Sequence, residues 1–500
     1  MPKKVIIVKS TLILPFNLYY ILHMSQRTFQ NTKIVATLGP ASDSYEKMFE
    51  LIKAGVDVFR INMSHGSHDV AKTQIETIGK INVDHNINVG ILADLQGPKL
   101  RVGQIENNKL DLAPGDILTF VNEKCVGTKE RIYMSYQSFA ADVEVGEQVL
   151  IDDGKVGMEV VETNNIDTVK LKVLFGKELS SNKGVNFPDT NVSLPALTEK
   201  DLEDFDFLMT QPVNWIALSF VRSPKEIKLL KAKIKSHGHH ARVIAKIEKP
   251  QAVEKIEKII KASDGIMIAR GDLGVEMPIE KLPGIQKRIV ALCIQYGTPC
   301  IVATQMMDSM IVNPSPTRAE VTDVANAVLD GTDAVMLSGE TSVGAYPVET
   351  VRAMNRIIAE AETNFPVQRL RPYPSSKSAT FMSDVVCFNA AKTAEEIGAT
   401  AIIGMTASGY TGFKISSYRS HAEIFIFSDQ KEIAGMLNLV WGVHCYYYDG
   451  FTTTDNTIID VLKILKEKHR VQAGEVVVFV GSMPLQARLK TNMMKIAIVD

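Results

Sequence analysis

Tryptophan is nearly absent from this 500-residue chain, with 2 copies, and cysteine is sparse, with 5. The cysteines (Cys125, Cys293, Cys300, Cys387 and Cys445) form no C-x-x-C pair and keep no metal-like spacing with histidine. That excludes a disulfide framework or zinc module and points to reduced thiols in a cytoplasmic protein. A charge excess is also missing: 55 Lys and Arg stand against 57 Asp and Glu, a formal net charge of −2. Without a long basic block, nucleic-acid binding is excluded as the main activity. No membrane segment is expected, because no uninterrupted apolar run reaches the ~20 residues a spanning helix needs. The nearest is MPKKVIIVKSTLILPFNLYYILH, which Lys9 and Pro15 interrupt and no A-x-A-like cleavage site follows. Residues 1–27 are expected to lie outside the fold as an upstream extension, with Met24 a natural start.

What remains is an ordinary globular composition, 45% apolar and 22% charged. The length suggests about three domains, or one large barrel with additions. From Thr32, β-branched runs alternate with helix-length amphipathic segments: TKIVATLG, VDVFRIN and NVGILADL as strands, Tyr45–Ala54 and a segment near Asp69–Asn86 as helices. This alternation predicts right-handed βαβ units and a parallel sheet. Between 98 and 195 the texture changes to strand-like pieces (DILTF, QVLID, GMEVVE, TVKLKVLF) separated by Gly, Asp and Asn turns. A small β-barrel-like lid domain is expected there, inserted in a loop whose ends already lie close together. The alternation then resumes with WIALSF, RVIAKIE, GIMIAR, CIVATQ and AVMLSGE. Eight strands in all predict an α/β protein with a (β/α)8 TIM barrel over 28–97 and 196–362. NFPVQRLRPYPSS marks a linker over 363–376, and 377–500 reads as a separate C-terminal α/β domain for regulation and assembly.

Chemistry concentrates where two apolar runs end in charge: RVIAKIEKP at Lys246 and Glu248, and GIMIARGD at Arg270 and Asp272. Charges at the carboxyl ends of parallel strands face the binding site. A cation with two carboxylates there suits a divalent metal holding a phosphorylated or carboxylated substrate; ordinary strand-end ion pairs are the plainer alternative.

Taken in order, TKIVATLGPAS, FRINMSHG, DLQGPKLR, KGVNFP, IAKIEKPQAV, IARGDLGVE, ATQMMDSM and MLSGETSVGAYP resemble the motifs of the pyruvate kinases, across nearly all of Thr32–Asp500. The resemblance implies phosphoryl transfer from phosphoenolpyruvate to ADP, giving ATP and pyruvate, the last step of glycolysis. It implies Glu248 and Asp272 as ligands of Mg2+ (or Mn2+), and Lys246 as the ammonium that steadies the phosphoryl group in flight. Ala269, Arg270, Gly271 and Asp272 would form the turn that takes the substrate carboxylate. Arg60 would contact phosphoryl oxygens, and His65, Arg101 and Lys183 the nucleotide, the last two carried there by closure of the lid. Asn62, Ser64 and Asp94 match the family's monovalent-cation pocket, and Thr304 the threonine linked to enolate protonation. Ser338 and Glu340 fit either a proton relay with Thr304 or helix capping. The family's usual assembly, a homotetramer, is the expected one.

Two departures stand out. Many members carry D-T-K-G-P-E at the third strand's exit and depend on potassium; here it is Asp94-Leu95-Gln96-Gly97-Pro98-Lys99. Lys99 reverses two charge units, and the variant resembles the potassium-independent branch, so Lys99 is expected to replace potassium. The loop TASGYTG, with Thr406, Ser408 and Thr411, resembles the family's sugar-phosphate effector loop, but GSMPLQARLKTN differs from the Gly-rich, Trp-containing form linked to fructose 1,6-bisphosphate. Some phosphorylated effector is expected. Two rival functions fit the residues less well. A metal-dependent carbon–carbon lyase would need neither Arg101, Lys183 nor the lid. A silent phosphometabolite sensor would not need the intact Lys246, Glu248, Asp272 and Thr304 set.

Overall fold

A computed structural model describes residues 30–64, 66–364, 373–484 and 489–500 of the chain. In chain order, strands β1 (Lys33–Thr37), β2 (Val58–Asn62) and β3 (Gly90–Asp94) open the barrel. An insert follows, with β4 (Leu110–Asp111), β5 (Ile117–Val121), β6 (Ile132–Tyr133), β7 (Gln148–Ile151), β8 (Val156–Thr163), β9 (Thr168–Phe175), β10 (Glu178–Leu179) and β11 (Val185–Asn186). The barrel resumes with β12 (Trp215–Leu218), β13 (Arg242–Ile247), β14 (Gly265–Ala269), β15 (Cys300–Ala303) and β16 (Ala334–Leu337). These eight strands close as β1-β16-β15-β14-β13-β12-β3-β2, all parallel. Trp215 pairs with Leu92, so the insert between β3 and β12 leaves the ring unbroken.

Period-2 alternation divides each strand between two cores. Ile34 and Ala36 pack toward the surrounding helices, whereas Val35 packs with Val58, Leu92, Trp215, Ile244 and Met267 inside the barrel. The helices begin where the sequence supplies caps. Thr198 and Thr317 form capping boxes with Asp201 and Glu320, and Ser44 accepts from the Lys47 N–H at the head of helix Tyr45–Ala54. The helical stretch after β13 is broken at Lys255 into Pro250–Glu254 and Ile256–Ala262.

The insert is a six-stranded sheet, β11-β7-β8-β9-β5-β6, with a separate β10-β4 pair. It curls toward a barrel because Arg101 and Val102 bridge both of its edges, Arg101 to Gly184 and Val102 to Met134. Phe120, Phe139, Tyr136 and Phe187 fill its core.

The C-terminal domain has β17 (Ala401–Met405), β18 (Glu423–Ser428), β19 (Val443–Tyr447), β20 (Val476–Gly481) and β21 (Met493–Ile498), ordered β19-β18-β17-β20-β21 with only β21 antiparallel. Its core is continuous with the barrel interior: Ile415, Leu437 and Met436 share one cluster with Val35 and Trp215. The Trp215 indole N–H donates to the Met436 carbonyl at 3.1 Å. Among the described residues, no helix is long and apolar enough to cross a membrane.

Candidate active site

The carboxyl ends of β2, β3, β12 and β13 bring Arg60, Asp94, Ser219, Lys246 and Glu248 together. The Lys246 ammonium donates to Ser219 Oγ at 2.7 Å and lies 3.0 Å from Glu248 Oε1 and 3.3 Å from Asp94 Oδ1. Arg60 grips Asp94 Oδ2 through Nε at 2.8 Å and Nη2 at 2.7 Å, and reaches Thr37 Oγ1 at 3.0 Å. Burial would push the Asp94 carboxyl up, but Lys246 and Arg60 outweigh it and hold the group below its usual range. Burial likewise works against the Lys246 charge, yet Asp94 and Glu248 raise this ammonium above its ordinary value.

Glu248 is different. Burial, with Asp272 adding to it, pushes its carboxyl up to about 7 in spite of Lys246. One oxygen accepts from the Phe220 N–H at 2.6 Å. The other, Oε1, is buried and lies 3.0 Å from the Lys246 ammonium as an ion pair. A buried carboxylate whose pKa stays raised despite its ammonium partner, with Asp272 adding negative charge, fits a hard divalent cation. Phe220 is held at φ +52°, a left-handed conformation that costs a non-glycine residue energy.

On the strand next to β13, Ala269 ends β14 and Arg270-Gly271-Asp272 starts helix Arg270–Glu276. The Gly271 N–H donates to Thr304 Oγ1 at 2.7 Å, and that hydroxyl donates to the Ala303 carbonyl at 2.6 Å. Thr304 (φ +72°) and Gln305 (φ +51°) are both left-handed. Arg270 braces this strained turn, donating to the Thr304 carbonyl at 2.7 Å while paired with Asp323 at 2.7 Å. Glu340 is buried and accepts from the N–H groups of Ser338 at 2.7 Å and Met307 at 3.2 Å; this is capping geometry.

Asn62 pairs with Asp94 across β2 and β3, and its Oδ1 accepts from the Ser64 N–H at 3.1 Å. Gly97 turns the chain toward the insert at φ +69°, where a Cβ would come within 2.8 Å of Ser219 Cβ. Lys99 follows on the cleft rim, exposed. Although the residue is exposed, partial desolvation by the packed cleft wall and the nearby Arg101 lower the pKa of its ammonium, while Asp272 and Asp153 pull it up. Arg101 and Lys183 occupy paired segments of the insert, the Val102 N–H donating to the Lys183 carbonyl at 2.9 Å. Lys183 pairs with Asp152 at 2.9 Å, and Arg101 reaches the Asn182 carbonyl at 2.7 Å. His65 lies outside the described residues.

Several contributors were not singled out from the sequence as working parts: Phe220, Asp323, and the trio Lys249, Glu276 and Asn186. Two of them carried a signal, since Lys249 follows Glu248 and Glu276 stands one helical turn beyond Asp272.

In the C-terminal domain, Thr406, Ser408 and Thr411 line a cavity of about 530 Å³, with Thr380, Asp449 and Lys490 among its other walls. The Thr406 hydroxyl accepts from the Gly409 N–H at 3.0 Å, and Thr411 and Thr491 share a hydrogen bond at 2.9 Å.

The class is that of a (β/α)8-barrel enzyme with an inserted sheet domain and a C-terminal α/β domain. Residues 29–351 match the family model "Pyruvate kinase, barrel domain", and residues 384–497 match "Pyruvate kinase, alpha/beta domain". Pyruvate kinases of Mycobacterium intracellulare and Corynebacterium efficiens are 42% identical over 465 residues and 40% over 467 residues, each spanning 93% of this chain and 97% of the relative. A crystal structure of a pyruvate kinase from Cryptosporidium parvum superposes with a TM-score of 0.88 at 33% identity, covering 96% of this chain and 97% of that one. The chain belongs to the pyruvate kinase family and is a phosphotransferase.

Proposed function

We propose that this site moves the phosphoryl group of phosphoenolpyruvate onto ADP and then protonates the enolate to pyruvate. The observation that carries this is the Lys246 ammonium, fixed by Ser219, Glu248 and Asp94 at one strand end, next to the Ala269–Asp272 turn of the adjoining strand. Glu248 and Asp272 would hold the divalent cation, magnesium or manganese, which neutralises phosphoryl charge when bound. Lys246 and Arg60 face the transferring oxygens, so charge developing in transfer meets preorganised cations. The Ala269–Asp272 turn receives the substrate carboxylate and Thr304 serves the proton step, through water because a hydroxyl alone is a poor acid. His65, Arg101 and Lys183 serve the nucleotide once the lid closes.

Lys99 supplies internally the charge that potassium gives many relatives, leaving Asn62, Ser64 and Asp94 as a vestigial pocket. Its electrostatic reach to both Asp272 and Lys246 supports this. The cavity at Thr406, Ser408 and Thr411 takes a phosphorylated effector, supported by its hydroxyl lining. Domain limits at 28–97 and 196–362 (barrel), 98–195 (lid) and 377–500, a homotetrameric assembly and a cytoplasmic location complete the proposal.

The test is coupled detection of pyruvate and ATP from phosphoenolpyruvate and ADP with magnesium, with and without potassium. Turnover in both conditions supports the assignment. Absence of turnover with magnesium and both substrates refutes it.

A further inference from the structure

Beside the phosphoryl cluster, one buried carboxylate is bound from two domains. Glu276 ends helix Arg270–Glu276, one turn beyond Asp272, and is 2% exposed. Its Oε1 accepts from the ammonium of Lys249, the residue after Glu248, and from Asn186 Nδ2 at 2.8 Å. Asn186 belongs to the lid: it lies on β11, paired with Leu150 of β7. The Glu276 Oε2 atom makes no hydrogen bond in the described structure, so those two donors set where the carboxylate sits. The Lys249 ammonium also lies 5.9 Å from the ring of Phe220, whose N–H holds Glu248.

We infer that Glu276 and Asn186 are positioning residues: their hydrogen bond is the latch that holds the lid down over the nucleotide side while the same carboxylate keeps the Glu248 and Asp272 segments in register. The inference rests on the nucleotide role given above to the lid. Its physical basis is the asymmetry of the two donors. Lys249 and Glu276 both belong to the barrel, so when the lid lifts, the buried carboxylate keeps its counter-charge and no bare charge is left behind. Only the neutral amide of Asn186 departs, and water replaces its partner. Closure therefore gains one charge-assisted hydrogen bond and opening loses no ion pair, which suits a contact made and broken each cycle. A second polar tie between lid and barrel among the described residues, from Arg222 to the Val192 and Leu194 carbonyls, grips the chain where it returns to the barrel.

Wild-type turnover of phosphoenolpyruvate with ADP checks the functional assignment on its own; the latch is then tested in the full-length enzyme by Asn186→Ala and Asn186→Gln. For Asn186→Ala, the KM for ADP is expected to rise about tenfold or more, the loss of one hydrogen bond to a charged group. The KM for phosphoenolpyruvate and kcat stay within about twofold, with an unchanged melting temperature. Asn186→Gln, which keeps an amide donor, recovers most of the ADP affinity. An ADP KM within about twofold of wild type in Asn186→Ala overturns the latch. So does a uniform loss in both KM values and kcat with a lowered melting temperature, the mark of a merely structural side chain.

Discussion

Replacing Lys246 by methionine keeps most of the length and volume of the side chain and removes its charge. The ammonium sits 2.7 Å from Ser219, 3.0 Å from Glu248 and 3.3 Å from Asp94, so it is held before substrate arrives. A preorganised charge of this kind, facing developing negative charge in a site closed to water, is worth about 2.7–4 kcal/mol, or about 10²–10³ in kcat. Stability changes less than the loss of a buried charge usually implies. Stranding a buried partner costs roughly 3–5 kcal/mol, but here each partner has another recourse. Asp94 keeps Arg60 at 2.7 Å, and the Glu248 carboxyl, already pushed up to about 7, can take a proton. The low end of that range is expected, so Lys246→Met should remain folded. Steady-state pyruvate formation should show kcat reduced by at least about 100-fold, with the KM for phosphoenolpyruvate within about threefold, because the contact matters chiefly in transfer. A folded Lys246→Met enzyme that keeps kcat within about tenfold of wild type would refute the phosphoryl-facing role.

Three further outcomes follow from the same geometry. In buffers whose only monovalent cation is tetramethylammonium, wild type should keep its rate within about twofold, while Lys99→Glu should fall at least about tenfold and recover on adding potassium. Failure of potassium to rescue Lys99→Glu would count against charge replacement. In metal-free protein, the folded Glu248 carboxyl at about 7 lies above its ordinary 4.5. Its contribution to stability is therefore complete below pH 4.5 and lost as pH rises through about 7. Melting curves should fall more steeply over that window in wild type than in Glu248→Gln, and added magnesium should raise the melting temperature more at about pH 8 than at about pH 6. Thr304→Val removes the acceptor of the Gly271 N–H and should lower kcat about 10²-fold, whereas Thr304→Ser, which keeps the hydroxyl, should retain most activity; equal effects of the two would remove the hydroxyl from the mechanism.

Much of this architecture could be read from residue order because parallel barrels announce themselves. Runs such as RVIAKIE and GIMIA are apolar until their last residues, and the switch to Lys246, Glu248, Arg270 and Asp272 marks where each strand leaves the core. Caps such as Thr317 and turns such as Gly55 set helix limits locally, so helix Tyr45–Ala54 coincides with the expected one. What pattern could not supply was long-range pairing between polar residues. Asn186 and Glu276 are 90 positions apart, and nothing local in KGVNFP or GDLGVEMP says that one binds the other. The strained φ values of Phe220 and Thr304 were equally silent, because tertiary contacts impose them on residues with no left-handed preference of their own. The family motifs pointed to Lys246 and Glu248, but the burial that raises the Glu248 carboxyl is a property of the folded site alone.

The inward-facing residues of the barrel strands share one apolar cluster with the C-terminal domain, and Trp215 is hydrogen-bonded into it. The barrel's floor is thus borrowed from a segment more than 200 residues downstream of β12. During synthesis, the barrel must wait for the end of the chain before it can finish drying its interior. Removing the last domain would expose the undersides of Val35, Leu92 and Met267 to water. By calorimetry the barrel and the C-terminal domain should melt in a single transition, and the lid, whose core is separate from theirs, should be able to unfold by itself.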